Sequence, residues 1–251
     1  MIVLFGHGYV GTAIARELRR QMCDFKWLSH KDRFPDADVY INAAGFVGTP
    51  NVDDCESRRL ETLDGNVGWA LRLAERGIAT IHVSSGCLYR GGPWDEADPP
   101  NFFGSWYSTV KAFEEKALAP FLKTTSYLLR IRMPFGREEH PRNLLTKLRS
   151  YGTLVDGRNS LTSVEDLARV VVWFAFHRPD VGTYNVCNPG EISTAEIADL
   201  LPALALGKHW VSQEEFRTLF PAERSFCTLA TEKLQRLFPL RDVFTAICSC
   251  A

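Results

Sequence analysis

Tyr107 and Lys111 are the two side chains best suited to acid–base chemistry. They lie four residues apart in a segment, residues 105–119, whose pattern predicts a helix, so both side chains share one helix face. A tyrosine hydroxyl has a pKa of about 10 in water, and a neighbouring ammonium group lowers that pKa by favouring the phenolate. The pair therefore predicts a proton donor with its activating cation. The alternative is a surface pair, because this spacing also occurs on helices by chance.

Two polar segments earlier in the chain favour the catalytic interpretation. Asn42 to Gly45 follows the third predicted strand, and Ser85 follows the fourth. In an open α/β sheet, ligands bind at the carboxyl ends of the strands. We therefore predict that the Ser85 hydroxyl lies beside the Tyr107–Lys111 pair.

A glycine turn near the N-terminus is typical of dinucleotide sites. The motif GHGYVG, residues 6–11, comes directly after an apolar strand and directly before a helical pattern. Glycine permits the tight turn and lets backbone N–H groups approach a pyrophosphate, whose charge the following helix N-terminus favours. A glycine turn without a ligand is the alternative.

The end of the second predicted strand favours NADP(H), with NAD(H) left open. NAD-selective sites usually carry an acidic residue there to bind the ribose 2′-hydroxyl. This chain has Ser29, His30 and Lys31 instead, which suit a 2′-phosphate unless they are merely solvated loop residues. The full set of predicted cofactor-binding residues is Gly6, Gly8, Tyr9, Val10, Gly11, Ser29, His30, Lys31, Ala43, Ala44, Gly45, Tyr107, Lys111 and Met133.

Apolar runs alternate with helical patterns, which predicts an α/β fold: a Rossmann-type doubly wound parallel sheet with a small C-terminal substrate lobe. Strands are predicted over 1–5, 25–28, 39–43, 78–83, 126–133 and 183–186, and helices over 11–22, 56–76, 105–119, 144–151 and 164–176. Residues 86–104 are predicted to be a loop over the active site, and residues from 192 onward helix and irregular structure. We assign 1–134 and about 157–190 to an NADP(H)-binding domain, and 135–156 and 191–251 to the substrate lobe.

Composition excludes several functional classes. With 45% hydrophobic and 24% charged residues the chain is a globular protein, and a net charge of -1 predicts no binding to nucleic acid or to a membrane surface. The N-terminus lacks signal-peptide features, and no apolar run is long enough to span a bilayer. Seven irregularly spaced cysteines without a metal-binding pattern predict reduced thiols, no metal site and a cytoplasmic location.

The chain resembles the extended short-chain dehydrogenases/reductases of the dTDP-4-dehydrorhamnose reductase branch, and most of all the plant-type nucleotide-rhamnose synthase/epimerase-reductases. The resemblance covers most of the chain up to Gly190. It is carried by residues 42–45, 50–56, 65–67, 85–87, 100–102, 104–107, 130–134, 141–143, 146–147 and 188–190.

By this resemblance, Ser85, Tyr107 and Lys111 form the reductase triad, in which Ser85 holds the substrate carbonyl and Tyr107 delivers the proton. The resemblance also gives Cys87 and Lys147 roles in moving protons on the carbons beside the ketone. A thiol pKa of about 8.5 suits that chemistry. The alternatives are a small buried residue for Cys87 and a solvated helix residue for Lys147.

The predicted substrate is a nucleotide sugar. Arginine suits a pyrophosphate because its guanidinium can donate two parallel hydrogen bonds. The predicted substrate-binding residues are Ser85, Gly86, Cys87, Tyr107, Arg142, Asn143, Lys147 and Arg224.

The leading hypothesis is a bifunctional 3,5-epimerase/4-reductase that uses NADPH to convert a UDP- or dTDP-linked 4-keto-6-deoxyglucose to the L-rhamnose form. The alternatives are a 4-keto-sugar reductase without epimerase activity and a non-catalytic NADP-binding regulatory subunit. No dehydratase domain is recognised in the sequence, so an upstream 4,6-dehydratase is expected to supply the substrate. Helices beside the sheet commonly mediate dimers in this superfamily, so a homodimer is a further expectation.

Overall fold

A six-stranded parallel sheet forms the centre of the chain, whose computed structural model describes residues 1–29, 32, 34–204 and 206–250. The strands are β1 (Ile2–Phe5), β2 (Phe25–Leu28), β3 (Val39–Asn42), β4 (Ala79–Ser85), β5 (Gly91–Trp94), β6 (Ser126–Ile131), β7 (Pro134–Phe135), β8 (Thr153–Val155), β9 (Thr162–Ser163), β10 (Gly182–Asn185), β11 (His209–Val211) and β12 (Cys227–Leu229). The sheet runs in the order β10-β6-β4-β3-β1-β2 with every pair parallel. The predicted Rossmann-type fold is confirmed.

Helices cover both faces of this sheet. The α-helices of the described chain are α1 (Tyr9–Arg20), α2 (Asp54–Ser57), α3 (Arg59–Leu63), α4 (Trp69–Ala74), α5 (Trp106–Leu118), α6 (Leu144–Ser150), α7 (Val164–His177), α8 (Thr194–Leu200), α9 (Gln213–Thr218), α10 (Glu232–Gln235) and α11 (Val243–Cys248). Helices α1 and α7 pack against each other on one face, and α4 and α5 pack on the other. Alternate residues of a strand point to opposite faces. Leu4 therefore packs with residues of α1 and α7 on one face of the sheet, and Phe5 packs with Tyr40 and Trp69 on the other.

The helix predicted over residues 56–76 is wrong as a single element. The structure has α2, a break at Arg58, α3, a π-helical turn over Asp64–Gly68, and α4. Arg58 has φ −106° and ψ 54°, outside the helical region. The apolar spacing of the segment is helical throughout, so the sequence pattern did not reveal the break at Arg58.

Two further predictions of irregular structure are wrong in part. Residues 86–104, predicted to be a loop, include β5. The late segment, from residue 192 onward, contains β12, which pairs in parallel with β5, and β11, which pairs in parallel with β8. These strands are three or four residues long and lack an alternating pattern. Their partners are distant in sequence, so no local signal identifies them.

A second apolar cluster lies apart from the central sheet. Its members come from β7, α6, β8, α8 and α11 and include Ile192 and Leu204, all in segments that the sequence assigned to a substrate lobe, together with Leu161. The division into two domains at residues 134, 157 and 190 stays a prediction, which this cluster supports. No helix in the described part of the chain is long and apolar enough to cross a membrane.

Candidate active site

The glycine turn lies where the winding of the sheet reverses, between β1 and β3. Gly6 has φ +105°, and a Cβ added to it would lie 2.6 Å from the carbonyl carbon of Ala43. A Cβ on Gly11 would lie 2.1 Å from the Gly6 carbonyl oxygen. These two glycines are required by the fold itself, because they let the turn, α1 and the end of β3 pack closely.

Gly8 is different, because a Cβ on it would meet no protein atom within 4 Å. Gly8 is also the N-cap of α1 and makes no side-chain cap hydrogen bond, and the first turn carries no acidic residue. The turn thus leaves an open cradle at a helix N-terminus, which fits the pyrophosphate of a dinucleotide. The residues present fit NADP(H), which would supply a hydride.

Gly8→Ala is expected to leave the melting temperature of the ligand-free protein within about 2 °C of wild type, since surface changes usually cost under about 0.5 kcal/mol. The methyl group should obstruct the pyrophosphate and raise the Kd for NADPH about tenfold or more. Fluorescence titration with NADPH measures the Kd. Gly11→Ala is the contrasting variant, which should lower the melting temperature. An unchanged Kd in Gly8→Ala would contradict the assignment.

The other predicted cofactor residues occupy varied positions. Tyr9 is buried and stacks on His140 with ring centroids 4.7 Å apart, while Val10 packs against the main core. Met133 follows β6 with φ +37° and packs against the second apolar cluster. Ser29 directly follows β2, and its backbone N–H donates to the Asp32 carboxylate. His30 and Lys31 lie outside the described residues, and all these cofactor contacts stay predictions.

The loop after β3 is fixed by Asn42, which is 1% exposed. Its Oδ1 accepts hydrogen bonds from the Ala44 backbone N–H and from Trp69 Nε1, each at 3.1 Å. A Cβ on Gly45 would lie 3.0 Å from Asn66 Oδ1, an atom that is buried and has no hydrogen-bond partner among the described residues. Asn42 thus fixes the backbone of residues 43–45, which are predicted to contact the cofactor.

Ser85, Cys87 and Tyr107 come together at the carboxyl end of β4, as the sequence predicted. Helix α5 begins after Ser105, whose hydroxyl caps it by accepting from the Ser108 backbone N–H. Tyr107 lies close enough to Ser85 for this hydroxyl to act on its pKa, and the Cys87 backbone N–H donates to Ser85 Oγ at 3.2 Å. Two neighbouring hydroxyl groups can hold a carbonyl oxygen and protonate it.

The prediction that the Tyr107 pKa is lowered is wrong for the ligand-free protein. Burial raises the pKa of Tyr107 well above 10, and Cys87, Glu114 and Cys55 raise it further, while Ser85 acts in the opposite direction. The hydroxyl therefore holds its proton firmly, as a proton donor must before it acts.

Lys111 is itself paired within the protein. Its ammonium group is 4% exposed and forms an ion pair with the Glu114 carboxylate, which is 3% exposed. Glu114 also accepts a hydrogen bond of 2.7 Å from Ser84 Oγ. The cation that was expected to act on Tyr107 is thus neutralised by a carboxylate one turn further along α5.

Cys87 is a thiol in the ligand-free protein. Burial raises its pKa above the usual range, although hydrogen bonds with Ser85 and Ser108 and the charges of Arg132 and Lys111 oppose that effect. The expectation of a pKa near that of an ordinary thiol is therefore corrected. Gly86 beside it is tightly enclosed, since a Cβ there would lie 2.6 Å from Leu229 Cδ1.

Lys147 lies in a cluster of cations. Burial, with Arg142 and Arg224 nearby, lowers the pKa of Lys147 to about 8. Arg142 donates a hydrogen bond to the Gly48 carbonyl oxygen and also acts on Cys55, one of the groups that raise the Tyr107 pKa. Such a cluster suits a substrate that carries phosphate.

Asn143 stabilises the start of α6, a structural role that the sequence did not indicate. It is 2% exposed and caps α6, accepting from the Leu145 backbone N–H at 2.9 Å and donating to the Gly136 and Glu138 carbonyl oxygens. All its polar atoms are therefore engaged within the protein. A contact between Asn143 and a substrate stays a prediction.

Arg224 is joined to Asp53, a residue to which the sequence assigned no role. Arg224 Nη1 and Nη2 donate to the two Asp53 oxygens at 2.9 and 2.8 Å, and the Ala222 backbone N–H donates to Oδ1 at 3.0 Å. Burial alone would raise the pKa of Asp53, but these bonds hold it below its usual value. The bidentate pair ties the late segment to the loop after β3. Within the described residues, no group of three or more His, Cys, Asp and Glu side chains could hold a metal ion.

Comparison of sequences identifies relatives with two or three activities. No family model matches the chain. A bifunctional dTDP-4-dehydrorhamnose 3,5-epimerase/dTDP-4-dehydrorhamnose reductase of Arabidopsis thaliana is 36% identical over 217 residues, which are 79% of this chain and 71% of the relative. A trifunctional UDP-glucose 4,6-dehydratase/UDP-4-keto-6-deoxy-D-glucose 3,5-epimerase/UDP-4-keto-L-rhamnose-reductase of the same plant is 35% identical over 79% of this chain, but the match spans 32% of that protein.

Comparison of structures agrees. The UDP-rhamnose synthase of Acanthamoeba polyphaga mimivirus superposes with a TM-score of 0.91 at 28% identity, over 99% of this chain and 97% of that one. A dTDP-4-dehydrorhamnose reductase of Bacillus anthracis, solved in complex with NADP, shares the fold with a TM-score of 0.80 at 20% identity, over 98% and 96% of the two chains.

Proposed function

The chain belongs to the nucleotide-rhamnose epimerase-reductase branch of the extended short-chain dehydrogenase/reductase family, and from that premise we propose that it is an NADPH-dependent enzyme of nucleotide-rhamnose synthesis. Its reaction would convert a UDP- or dTDP-linked 4-keto-6-deoxyglucose to the L-rhamnose form by 3,5-epimerisation and 4-reduction. The observation that carries the proposal is the group of Ser85, Cys87 and Tyr107 beside Lys111.

In the reduction, Ser85 and Tyr107 would hold the C4 carbonyl oxygen of the sugar. Gly8 and the N-terminus of α1 would hold the pyrophosphate of NADPH, which would supply a hydride to C4. The Tyr107 hydroxyl then gives its proton to O4, so that the ketone gains two electrons and two hydrogens and becomes an alcohol. The phenolate left on Tyr107 recovers a proton from water.

In the epimerisation, the ketone acidifies the protons on C3 and C5. Cys87, in its thiolate form, would remove such a proton, and the Lys147 ammonium would return one to the opposite face. Each step leaves the number of electrons on the sugar unchanged. Because burial raises the pKa of Cys87, its thiolate is the minor form throughout the neutral range, whereas the Lys147 ammonium becomes the minor form only above about pH 8.

These two pKa values predict the pH dependence of epimerisation. Below pH 8 the rate of ring-proton exchange should rise about tenfold per pH unit, because the thiolate fraction of Cys87 rises while Lys147 stays charged. Above about pH 8 the rate should level off, because Lys147 loses its proton as fast as Cys87 gains charge. Deuterium exchange measured by NMR at several pH values tests this profile. Reduction of pre-epimerised substrate is the control and should show no break near pH 8.

We propose NADP(H) as the cofactor, with NAD(H) as an alternative that the same cradle could accept. The 4-keto sugar would come from a separate 4,6-dehydratase, an activity that the trifunctional plant relative carries in its own chain. We also propose a cytoplasmic location. We further propose a homodimer, and sedimentation of the purified protein tests this oligomeric state.

The proposal is tested by following NADPH oxidation with enzymatically prepared UDP- and dTDP-4-keto-6-deoxyglucose. Consumption of NADPH with formation of the rhamnose form is expected for at least one nucleotide. A reductase without epimerase activity would oxidise NADPH only with pre-epimerised substrate. A protein that binds NADPH and turns over neither substrate in either form would contradict the proposal and favour a regulatory role.

A further inference from the structure

Asp53 connects the loop after β3 to the late segment of the chain, and neither the proposed reduction nor the proposed epimerisation uses it. It directly precedes α2, and its two carboxylate oxygens accept hydrogen bonds from Arg224 Nη1 and Nη2 at 2.9 and 2.8 Å. The side chains of Asp53 and Arg224 are 20% and 23% exposed. A bidentate pair that is mostly buried holds its geometry better than an exposed ion pair. The position of the Arg224 guanidinium is therefore set by Asp53.

The pair leaves one edge of the Arg224 guanidinium available. Asp53 occupies the end formed by Nη1 and Nη2, and Nη1 also donates to the Ala222 carbonyl oxygen. The Phe220 ring covers one face, with its centroid 4.8 Å from Arg224 Cζ. Among the described residues, no acceptor is hydrogen-bonded to Nε or to the second N–H of Nη2. This side edge carries two parallel donors, the arrangement that binds phosphate and carboxylate groups.

Arg224 lies between two loops that border the reactive group. The loop after β3 anchors Arg142 as well as Arg224, because Arg142 donates a hydrogen bond to the Gly48 carbonyl oxygen. Glu223, next to Arg224, donates through its backbone N–H to the Gly104 carbonyl oxygen at 3.0 Å, in the segment that leads from β4 to α5. Two arginines that are distant in sequence are thus fastened to one loop on the substrate side of the sheet.

We propose that Asp53 is a positioning residue, which fixes Arg224 so that the free edge of its guanidinium binds the diphosphate of the nucleotide sugar. The inference rests on the proposed function, which requires a diphosphate-linked substrate. Lys147 and Arg142 add positive charge to the same region. Long cationic side chains lose rotamer freedom when they bind an anion. Asp53 removes that cost for Arg224, because the guanidinium is already held before the substrate arrives.

Asp53 has two effects on nucleotide binding, and they have opposite signs. Its negative charge repels a diphosphate, so loss of the charge alone should tighten binding. Its hydrogen bonds orient Arg224, so loss of the bidentate pair should weaken binding, and the proposal requires this second effect to dominate. Asp54, the next residue, provides a matched control. Its carboxylate accepts from the Thr49 backbone N–H at 3.0 Å and from Arg58 Nη1 at 3.3 Å, and within the described chain it makes no contact with Arg224.

The test is isothermal titration calorimetry of the full chain with UDP and with dTDP, without NADPH or sugar substrate. Asp53→Asn should raise the Kd of the nucleotide that wild type binds more tightly by about tenfold, the value of one well-oriented charge-assisted contact. Asp54→Asn removes the same charge one residue away and should leave that Kd unchanged or lower it. Arg224→Lys keeps the positive charge but not the fork, so in this background Asp53→Asn should change the Kd less than about twofold.

Asp53→Glu covers the case in which Asp53→Asn does not fold. Glutamate keeps the charge but moves the carboxylate by one methylene, so binding should weaken although electrostatics alone predicts no change. A Kd in the folded Asp53 variants that equals or lies below that of wild type would overturn the proposal. Equal weakening by Asp53→Asn in the wild-type and Arg224→Lys backgrounds would overturn it too, as would wild-type protein that binds neither nucleotide. Failure of the proposed function is a separate result, in which wild-type protein does not oxidise NADPH with either nucleotide sugar.

Discussion

Replacing Tyr107 by phenylalanine is expected to lower kcat for NADPH-dependent reduction by about 10²- to 10⁴-fold, the contribution of a well-placed general acid. The reason is that Tyr107 carries a firmly held proton and lies close to Ser85 at the carboxyl end of β4, where the carbonyl oxygen would lie. Phenylalanine keeps the ring and its packing on α5. The loss should therefore fall on kcat, with little effect on stability.

The measurement is NADPH oxidation with pre-epimerised substrate, so that only the reduction is observed. The Kd for NADPH, from fluorescence titration, is the control and should change less than threefold. Ring-proton exchange at C3 and C5 should persist in this variant, because Cys87 and Lys147 are intact. A variant that retains a tenth or more of wild-type kcat would show that another group donates the proton.

Replacing Cys87 by alanine is expected to lower the rate of ring-proton exchange by about 10²-fold or more, since the change removes the only base proposed for that step. The side chain lies beside Ser85 and Ser108, close enough to both for hydrogen bonds, so the thiol is part of the same site as the reductase group. Turnover of the unepimerised ketone to the rhamnose form should be lost, while reduction of pre-epimerised substrate should continue within about threefold of wild type.

Cys55→Ala is the matched control for this variant. Cys55 is a second buried thiol whose charge would act on Tyr107, but it is hydrogen-bonded to Thr62 and belongs to α2 rather than to the end of β4. The Cys55→Ala variant should exchange the C3 and C5 protons of the sugar at the wild-type rate. Equal exchange rates for Cys87→Ala and wild type would show that a group other than Cys87 is the base and would contradict the role proposed for this thiol.

The arrangement of the reactive group followed from sequence because parallel strands present their carboxyl ends at one edge of a sheet. Ser85 ends β4, Gly6 and Ala43 follow β1 and β3, and the helix that carries Tyr107 returns along the same face. Each of these residues sits next to a strong local pattern. Their convergence is therefore a consequence of the fold class, which the alternation of apolar runs and helical patterns predicted.

The protonation of the site could not be predicted in the same way. The spacing of Tyr107 and Lys111 suggested a lowered tyrosine pKa, but the sign of the shift depends on burial and on Glu114, whose pairing with Lys111 exists only in the folded protein. Spacing places Glu114 and Glu115 equally near Lys111. Only the packing of α5 against β4 and β6 decides that the first pairs with Lys111 and the second with Arg130.

Contacts between segments that are distant in sequence could not be predicted either. The Asp53–Arg224 pair joins residues 171 positions apart, and β5 pairs with β12 across a similar separation. Short strands of this kind carry no periodic signal, and an isolated aspartate or arginine does not indicate its partner. These contacts join the late segment to the loops after β3 and β4, the region that we propose holds the sugar, and local patterns describe this region least well.

The most direct test of the bifunctional assignment is the turnover of UDP- and dTDP-4-keto-6-deoxyglucose by wild-type protein with NADPH in D₂O, followed by NMR analysis of the product. The proposed chemistry predicts one NADPH oxidised per product molecule and deuterium at both C3 and C5 of the rhamnose ring. Oxidation of NADPH that yields a product with protium at both ring positions would contradict the assignment, because reduction would then proceed without proton exchange at either carbon.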